Sequence, residues 1–259
     1  MLLAIDIGNT EITAGLFAGE RLEAHWRLTT SGGRTPDEWA ATLTAFFAQG
    51  GRSTHGVHAA VLASVAPHVT AAFADGVREA CGVVPVEVGP ASDLPLTLDV
   101  EEPLSVGADR VVNTLAAARL YERDTIVVDF GTATTFDCIT ADGRFLGGVI
   151  APGLRTAADD LTRRASKLPA IDLTPPEHVI GRRTDDCLRA GILFGTVDAV
   201  DGIVRRIRAE WPGGGTPYVV ATGGLAARIA PLTKEIEHVE PHLTLIGLRF
   251  AAACLHVTG

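Results

Sequence analysis

An internal repeat constrains the fold of this chain more than any other feature of its sequence. Asp6–Asn9 follows a short apolar run, and Asp129–Thr132 follows a second apolar run at an offset of 123 residues. Gly143–Phe145 then falls in step with Glu20–Leu22, again in a hairpin turn. Each copy indicates an apolar strand, an Asp-x-Gly turn and a second strand, so the repeat predicts a duplicated fold.

The rest of the chain alternates between strand-like and helix-like patterns. Thr35–Gln49 is predicted to be a helix, because Thr35 and Glu38 have the spacing of a capping box. Pro67–Cys81 is also predicted to be helical. Such alternation predicts an α/β fold with two mixed-sheet halves covered by helices, residues 1–118 and 119–259. We expect a cleft between the halves, with both Asp-x-Gly turns at its floor.

Charge and composition exclude several classes of function. The formal net charge is −9 and hydrophobic residues make up 47% of the chain. Nucleic-acid binding needs clustered Lys and Arg, which are scattered here, and no apolar run reaches membrane-spanning length. The strand-like start at Leu2–Ile5 has no basic region or cleavage site, which argues against a signal peptide. We therefore expect a cytoplasmic protein that binds neither nucleic acid nor membrane.

The four cysteines predict no disulfide framework. Cys81, Cys138, Cys187 and Cys254 form no C-x-x-C pair and lack zinc-ligand spacing. Each lies in an apolar stretch, so we expect buried, reduced thiols.

The turn after the first strand has the composition of an anion site. Gly8 has no Cβ, which lets the backbone approach a phosphate closely, and consecutive N–H groups in such a turn form an anion-binding concavity. Asp6 is suited to a Mg²⁺ ion that bridges phosphate oxygens. On this motif alone, an ordinary Asp-Gly-Asn hairpin turn explains the residues equally well.

Two further glycine turns extend the pattern. Asp129–Thr135 repeats the first turn with hydroxyls in place of amides, which favours a role in binding phosphates. Tyr218–Thr222 is an apolar strand that runs into Gly223 and Gly224, where a flat adenine ring can lie against bare backbone. Strand–Gly-Gly–helix turns are common in α/β proteins, so this third signal is weak when taken alone.

A carboxylate and a guanidinium follow one another at the start of a predicted helix. Asp109 and Arg110 come directly after Gly107 and Ala108. One interpretation is a capping pair. The other is a general base that accepts the proton of a substrate hydroxyl, beside an arginine that binds a substrate carboxylate.

Taken in order, these motifs resemble the actin, sugar-kinase and Hsp70 superfamily, and within it the type III pantothenate kinases. The resemblance runs from residue 2 to about residue 250 and implies a duplicated actin-like (ribonuclease H-like) fold. Further segments match the same family: Gly147–Leu154, Leu168-Pro169, Ile180–Arg182 with Thr184, Gly191-Ile192, Gly195 and Thr222–Leu225.

The resemblance implies an ATP-dependent phosphorylation of pantothenate to 4′-phosphopantothenate, the first step of coenzyme A synthesis. Mg²⁺ and a monovalent cation, K⁺ or NH₄⁺, are the implied ions, with Asp129 holding the monovalent one. Thr184 is implied to reach pantothenate from the second subunit of a homodimer. The residues implied to bind ATP are Asp6, Ile7, Gly8, Asn9, Thr10, Glu11, Ile12, Thr13, Thr132, Gly223 and Gly224. Those implied to bind pantothenate are Gly107, Ala108, Asp109, Arg110 and Thr184, with Asp109 as the catalytic base.

Four positions depart from the pattern of the family. Val100 stands where many members have Tyr, Ser105 replaces a usual Glu, and Arg183 replaces a usual Asn. Glu11 places an additional negative charge in the first turn. These departures leave two alternatives open: a non-catalytic relative with an accessory or regulatory role, and a kinase of the same fold with another small acceptor.

Overall fold

The computed structural model describes residues 1–257 and divides them into two compact units. The first unit contains Met1–Leu120, Gly143–Phe145 and the chain from Leu243 onward. The second contains Tyr121–Asp142 and Leu146–His242. The two units are defined by which residues lie close together in space. The predicted boundary between the duplicated halves, after residue 118, is a different division and stays a prediction.

The helices and strands alternate as the sequence patterns predict. The strands, in chain order, are β1 (Leu2–Ile7), β2 (Glu11–Ala18), β3 (Arg21–Thr29), β4 (Ala59–Ser64), β5 (Val86–Val88), β6 (Thr97–Leu98), β7 (Thr125–Phe130), β8 (Ala133–Ile139), β9 (Arg144–Pro152), β10 (Tyr218–Thr222) and β11 (His238–Val239). The helices are α1 (Pro36–Gln49), α2 (Pro67–Cys81), α3 (Ala108–Tyr121), α4 (Leu154–Arg164), α5 (Thr184–Glu210), α6 (Ala226–Ile229) and α7 (Leu243–Cys254). The predicted capping box is present at the start of α1.

Both units contain a mixed sheet with the same strand order. The first sheet runs β3-β2-β1-β4-β5, and the second runs β9-β8-β7-β10-β11. In each, the central strand pairs antiparallel with the strand that follows it and parallel with the strand on its other side. Inside the first unit, β6 extends the start of β9 through a parallel pairing of Thr97 with Arg144. The shared order confirms the duplicated fold.

Side chains that alternate along β1 divide between two cores of the first unit. Leu3, Ile5 and Ile7 face a core completed by α1 and α2, while Ala4 faces a core completed by α3 and α7. Helix α7 fits closely against α3, because a Cβ at Gly247 would lie 2.8 Å from the carbonyl carbon of Val112. The last helix therefore belongs to the same unit as the first strand.

The second unit has one large core on one face of its sheet. Ile126, Val128 and Phe130 alternate along β7 and pack with apolar side chains of α5, including Leu193 and Val197. This arrangement leaves the carboxyl ends of β7 and β10 at one edge of the sheet, where both strands run into glycine turns.

The cysteine prediction is confirmed in one respect and wrong in another. All four cysteines lie within residues 1–257 and none forms a disulfide. Cys81 and Cys138 are buried, but Cys187 is exposed, because it lies on the outer side of the first turn of α5. Its thiol donates to the carbonyl of Gly181 at 3.3 Å. Within the described residues, no helix combines the length and the apolar character that a membrane span needs.

The fit between α7 and α3 predicts a specific loss of stability. Gly247→Ala places a methyl group against the backbone of Val112 and should lower the free energy of unfolding by about 1–3 kcal/mol. Gly89→Ala is the matched control in the same unit, because no atom lies within 4 Å of its Cβ position. We expect the control to change stability by less than about 0.5 kcal/mol in urea titrations. Equal effects of the two substitutions would contradict this packing.

Candidate active site

The segment Asp6–Thr13, called the first turn, contains the end of β1, the connection Gly8–Thr10 and the start of β2. The backbone N–H of Gly8 donates to the carbonyl of Glu11 at 3.0 Å, which closes the turn. A Cβ at Gly8 would lie 2.9 Å from that same carbonyl oxygen, so the turn requires glycine. Gly8 therefore has a local structural role in the turn in addition to the close approach to a ligand that the sequence predicts.

The extra carboxylate of the first turn points outward. The Glu11 side chain is about half exposed and lies 3.9 Å from the guanidinium of Arg27 on β3. Its charge is therefore partly balanced by Arg27 and screened by solvent. This placement weakens the electrostatic repulsion between Glu11 and an anion bound in the first turn.

Gly107 and Ala108 lead into α3, with Asp109 in its first turn. One carboxylate oxygen of Asp109 accepts a hydrogen bond from the backbone N–H of Arg110 at 2.8 Å. Burial raises the pKa of the Asp109 carboxyl above its ordinary value, although the N–H and guanidinium of Arg110 oppose the shift. A Cβ at Gly107 would lie 2.5 Å from the same oxygen, so any other residue at position 107 would displace this carboxylate from its observed position.

The structure brings the first turn and Asp109 to the same edge of the first sheet. The backbone N–H of Val65, directly after β4, donates to the carbonyl of Ile7 at 3.0 Å. The Val65 side chain lies 3.5 Å from the Cβ position of Gly107. Val65 therefore contacts both segments, and the partly buried carboxylate of Asp109 lies near a turn whose composition suits an anion.

Arg110 has a defined position next to Asp109. Its guanidinium lies 5.0 Å from the ring centroid of Phe145, in the part of β9 that belongs to the first unit. A cation over an aromatic face is held in orientation by the attraction between its charge and the ring.

The second turn (Asp129–Thr135) joins β7 to β8 and is closed by the N–H of Gly131, which donates to the carbonyl of Ala133 at 3.0 Å. Gly223 lies against this turn: its φ is +90°, and a Cβ there would lie 2.7 Å from the backbone N of Phe130 and also contact Asp129. The structure thus brings Gly223 and Asp129 together, whereas Gly224 is exposed beside them.

Thr184 occupies a different part of the second unit. It is the first residue of α5 and is exposed, next to ion pairs that join Asp185 to Arg183 and Arg189. The contacts described for residues 1–257 do not bring Thr184 to the turns at Asp129 and Gly223. Arg183 is bound to Asp185, and Ser105 donates to Glu102, so both departures from the family pattern have local partners on the surface.

Two residues outside the sequence motifs also hold the turns. The hydroxyl of Thr30 donates to the carbonyl of Gly8, and the hydroxyl of Thr156 donates to the carbonyl of Thr132. Thr30 lies directly after β3, and Thr156 lies in α4, which follows β9.

Comparison with solved structures identifies the fold. A ROK hexokinase from Thermus thermophilus aligns with a TM-score of 0.50 at 16% identity, over 98% of both chains. A protein from Campylobacter jejuni described as a Baf family transcriptional activator aligns with a TM-score of 0.61 at 17% identity, over 97% of both chains. The fold is the duplicated actin-like fold of the sugar kinases, and the glycine turns lie at the carboxyl ends of its central strands.

Sequence comparison then identifies the family. The family profile of type III pantothenate kinase matches residues 2–206. The type III pantothenate kinase of Moorella thermoacetica is 45% identical over 96% of this chain and 97% of its own length. That of Thermomicrobium roseum is 46% identical over 99% of this chain and 98% of its own. The chain belongs to the type III pantothenate kinase family, a family of kinases, as the motif order predicts.

The raised pKa of Asp109 predicts a pH-dependent cost in stability. Because the folded state holds this proton more tightly than the unfolded state, stability falls as the pH rises through the ordinary Asp range towards the folded pKa. Asp109→Asn removes the partly desolvated charge and should stabilise the protein by on the order of 1 kcal/mol at pH 7. The difference in stability between Asp109→Asn and the wild type should shrink near and below about pH 4.

Thermal unfolding from pH 4 to pH 8 measures this difference. Asp75→Asn, which changes a half-exposed carboxylate of α2, is the control and should show a much smaller effect. A less stable Asp109→Asn variant, or a difference that does not vary with pH, would contradict the assigned environment of Asp109.

Proposed function

We propose that this protein transfers the terminal phosphoryl group of ATP to the primary hydroxyl of pantothenate. The product is 4′-phosphopantothenate, which enters coenzyme A synthesis. The observation that carries the proposal is the match along nearly the whole chain to relatives named type III pantothenate kinase. We also propose the cytoplasm as its compartment, because ATP is supplied there and the cysteines are unpaired.

The two turns are proposed to bind the phosphates of ATP. The proposed ligands are the residues of the first turn (Asp6, Ile7, Gly8, Asn9, Thr10, Glu11, Ile12 and Thr13) together with Thr132 of the second. Gly8 and Gly131 support this assignment, because a residue without a side chain follows the central strand in each unit. Oriented N–H groups stabilise phosphate charge without a large positive net charge on the protein. Gly223 and Gly224 are proposed to lie beside the adenosine.

The proposed cations suit carboxylates that act together with phosphate oxygens. Among residues 1–257, no three His, Cys, Asp or Glu side chains cluster to form a metal cage. Mg²⁺ in phosphoryl transfer is held by one or two carboxylates plus substrate phosphates, so a single carboxylate at Asp6 fits this mode of binding. We propose that Asp6 holds Mg²⁺ and that Asp129 holds a monovalent cation, K⁺ or NH₄⁺. Both cations neutralise phosphate charge.

Asp109 is proposed as the base that accepts the proton of the pantothenate hydroxyl. Burial raises its pKa, which strengthens it as a base relative to an exposed aspartate. Gly107 and Ala108 are proposed to line the acceptor site by backbone contact. The fork of Arg110, held over Phe145, is proposed to bind the carboxylate of pantothenate.

A homodimer is proposed to complete the acceptor site through Thr184. Thr184, Gly191 and Gly195 are spaced by seven and four residues, so they share one face of α5. No atom lies within 4 Å of the Cβ positions of the two glycines, which leaves this face open to a close partner. A second copy of the chain on this face would bring its own Thr184 near the interface.

An assay of ADP release tests the proposed reaction. With ATP, Mg²⁺, K⁺ and pantothenate, the wild-type protein should release ADP, and release should stop when pantothenate is omitted. Asp109→Asn should lower kcat by about 10²–10⁴-fold because it removes the base, while the affinity for ATP stays nearly unchanged. Asp75→Asn should behave as wild type. Silence of the wild type in all salts would favour an accessory role, and activity with another acceptor but not pantothenate would favour a different kinase.

Light scattering tests the proposed dimer. The wild-type protein should have twice the mass of one chain, and Gly195→Arg should reduce it to one chain by filling the open face of α5. Gly33→Arg, at another open glycine, is the matched control and should remain dimeric. A monomeric wild type, or a Gly195→Arg variant that still dimerises, would refute the use of this face.

A further inference from the structure

In each unit, the residue that follows the third of three consecutive strands donates a backbone hydrogen bond to the turn between the first two strands. Thr30 follows β3, and its backbone N–H donates to the carbonyl of Thr10 in the first turn at 3.0 Å. Gly153 follows β9, and its N–H donates to the carbonyl of Thr132 in the second turn at 3.2 Å. Thr30 and Gly153 are separated by the 123 residues of the repeat, and their acceptors, Thr10 and Thr132, each directly precede the second strand, so this contact is a duplicated feature of the fold.

A threonine hydroxyl adds a second hydrogen bond to each of these contacts. In the first unit, Thr30 Oγ1 donates to the carbonyl of Gly8 at 2.7 Å. In the second, Thr156 Oγ1 donates to the carbonyl of Thr132 at 2.6 Å, from the first turn of α4. The two hydroxyls come from positions that do not correspond in the repeat, yet both bind a carbonyl at the tip of the turn.

Peptide geometry gives these bonds a directional consequence. A peptide unit is planar and trans, so its C=O and the N–H of the next residue point in opposite directions. The bond from Thr30 to the Gly8 carbonyl therefore also sets the direction of the Asn9 N–H. In the same way, the bonds from Gly153 and Thr156 to the Thr132 carbonyl set the direction of the Ala133 N–H.

Anion binding depends on this direction. An N–H group that faces a phosphate stabilises it, whereas a peptide rotated by half a turn presents a carbonyl and repels it. A turn with a glycine has a low barrier to such rotation because Gly adopts many backbone conformations. A hydrogen bond to the carbonyl from outside the turn holds the peptide in the productive orientation before the ligand binds.

We propose that Thr30 and Thr156 are positioning residues that orient the peptide N–H groups of the two phosphate-binding turns. The proposal rests on the proposed function of the turns in ATP binding. Thr30 carries the larger effect, because its hydroxyl is partly buried and acts on the Gly8 peptide. Thr156 carries a smaller one, because the Thr132 carbonyl keeps the N–H of Gly153 when the hydroxyl is removed.

Valine and serine substitutions separate the hydroxyl from the rest of each side chain. Thr30→Val preserves the shape and removes the donor, and it should weaken ATP binding in calorimetry about tenfold, which corresponds to ~1.4 kcal/mol. The KM for ATP should rise with it, while the KM for pantothenate should stay within about twofold. Thr30→Ser keeps the donor and should restore ATP binding to within about twofold. Thr156→Val should weaken ATP binding about threefold.

Control variants and a second readout keep the test decisive. Thr42→Val and Thr233→Val each remove a hydroxyl that donates to a backbone carbonyl elsewhere, at 2.7 and 2.8 Å, and should leave ATP binding unchanged. Amide hydrogen exchange without nucleotide should be faster at residues 8–11 in Thr30→Val and at residues 131–133 in Thr156→Val. The two threonines lie in different units, so failure of one variant to fold leaves the other to decide.

The outcomes distinguish the proposal from the function on which it rests. Unchanged ATP affinity and unchanged exchange in both valine variants would overturn the positioning role, even in an active kinase. A rise in both KM values by equal factors would overturn it as well. A wild-type protein that binds no ATP would refute the proposed function, while faster exchange in the valine variants would still support the orientation of the two turns by these hydroxyls.

Discussion

The planar peptide unit is the constraint on which the two turns of this protein depend. Each central strand ends in a turn that leaves its strand through a glycine, and each turn is closed by a hydrogen bond from the N–H of that glycine. Further bonds hold the carbonyls of Gly8, Thr10 and Thr132 from outside the turns. Because carbonyl and N–H directions are coupled, these bonds leave little freedom in where the donors of each turn point.

The proposed binding of phosphates by these turns is compatible with an acidic chain. A chain with a net charge of −9 repels anions at long range, so local dipoles must supply the attraction. Oriented N–H groups and bound cations do so without clustered basic side chains. The carboxylate of Asp109, which is partly buried and whose pKa is raised by burial, lies at the same sheet edge as the first turn, and this placement supports its proposed role as the proton acceptor.

The sequence predicted the parts of the structure that depend on local pattern. The capping box at Thr35 and Glu38 placed the start of α1, and the 123-residue offset anticipated two sheets with one strand order. The family was also predicted, because several weak motifs occur in a specific order. Thr30 was missed, since a threonine at a strand end is expected from β propensity alone. Its alignment with Gly153 in the repeat is the signal that could have identified it.

Other features depend on tertiary contacts that no local pattern reports. The packing of α7 on α3 joins the end of the chain to the first unit through Gly247 and Val112. Asp201 on α5 is charged, but it is buried, and its carboxylate accepts hydrogen bonds from the backbone N–H groups of Lys234 and Glu235. The exposure of Cys187 depends on which side of α5 faces the core. Each of these follows from long-range packing, which a single sequence does not encode in a readable pattern.

Hydrogen exchange on addition of a non-hydrolysable ATP analogue with Mg²⁺ and K⁺ tests the central claim most directly. The claim is that both turns bind the same nucleotide through their backbone. It predicts slower exchange in peptides that cover residues 6–13 and residues 129–135, with little change in α1 and α2. Protection of one turn without the other, or of neither, would contradict it.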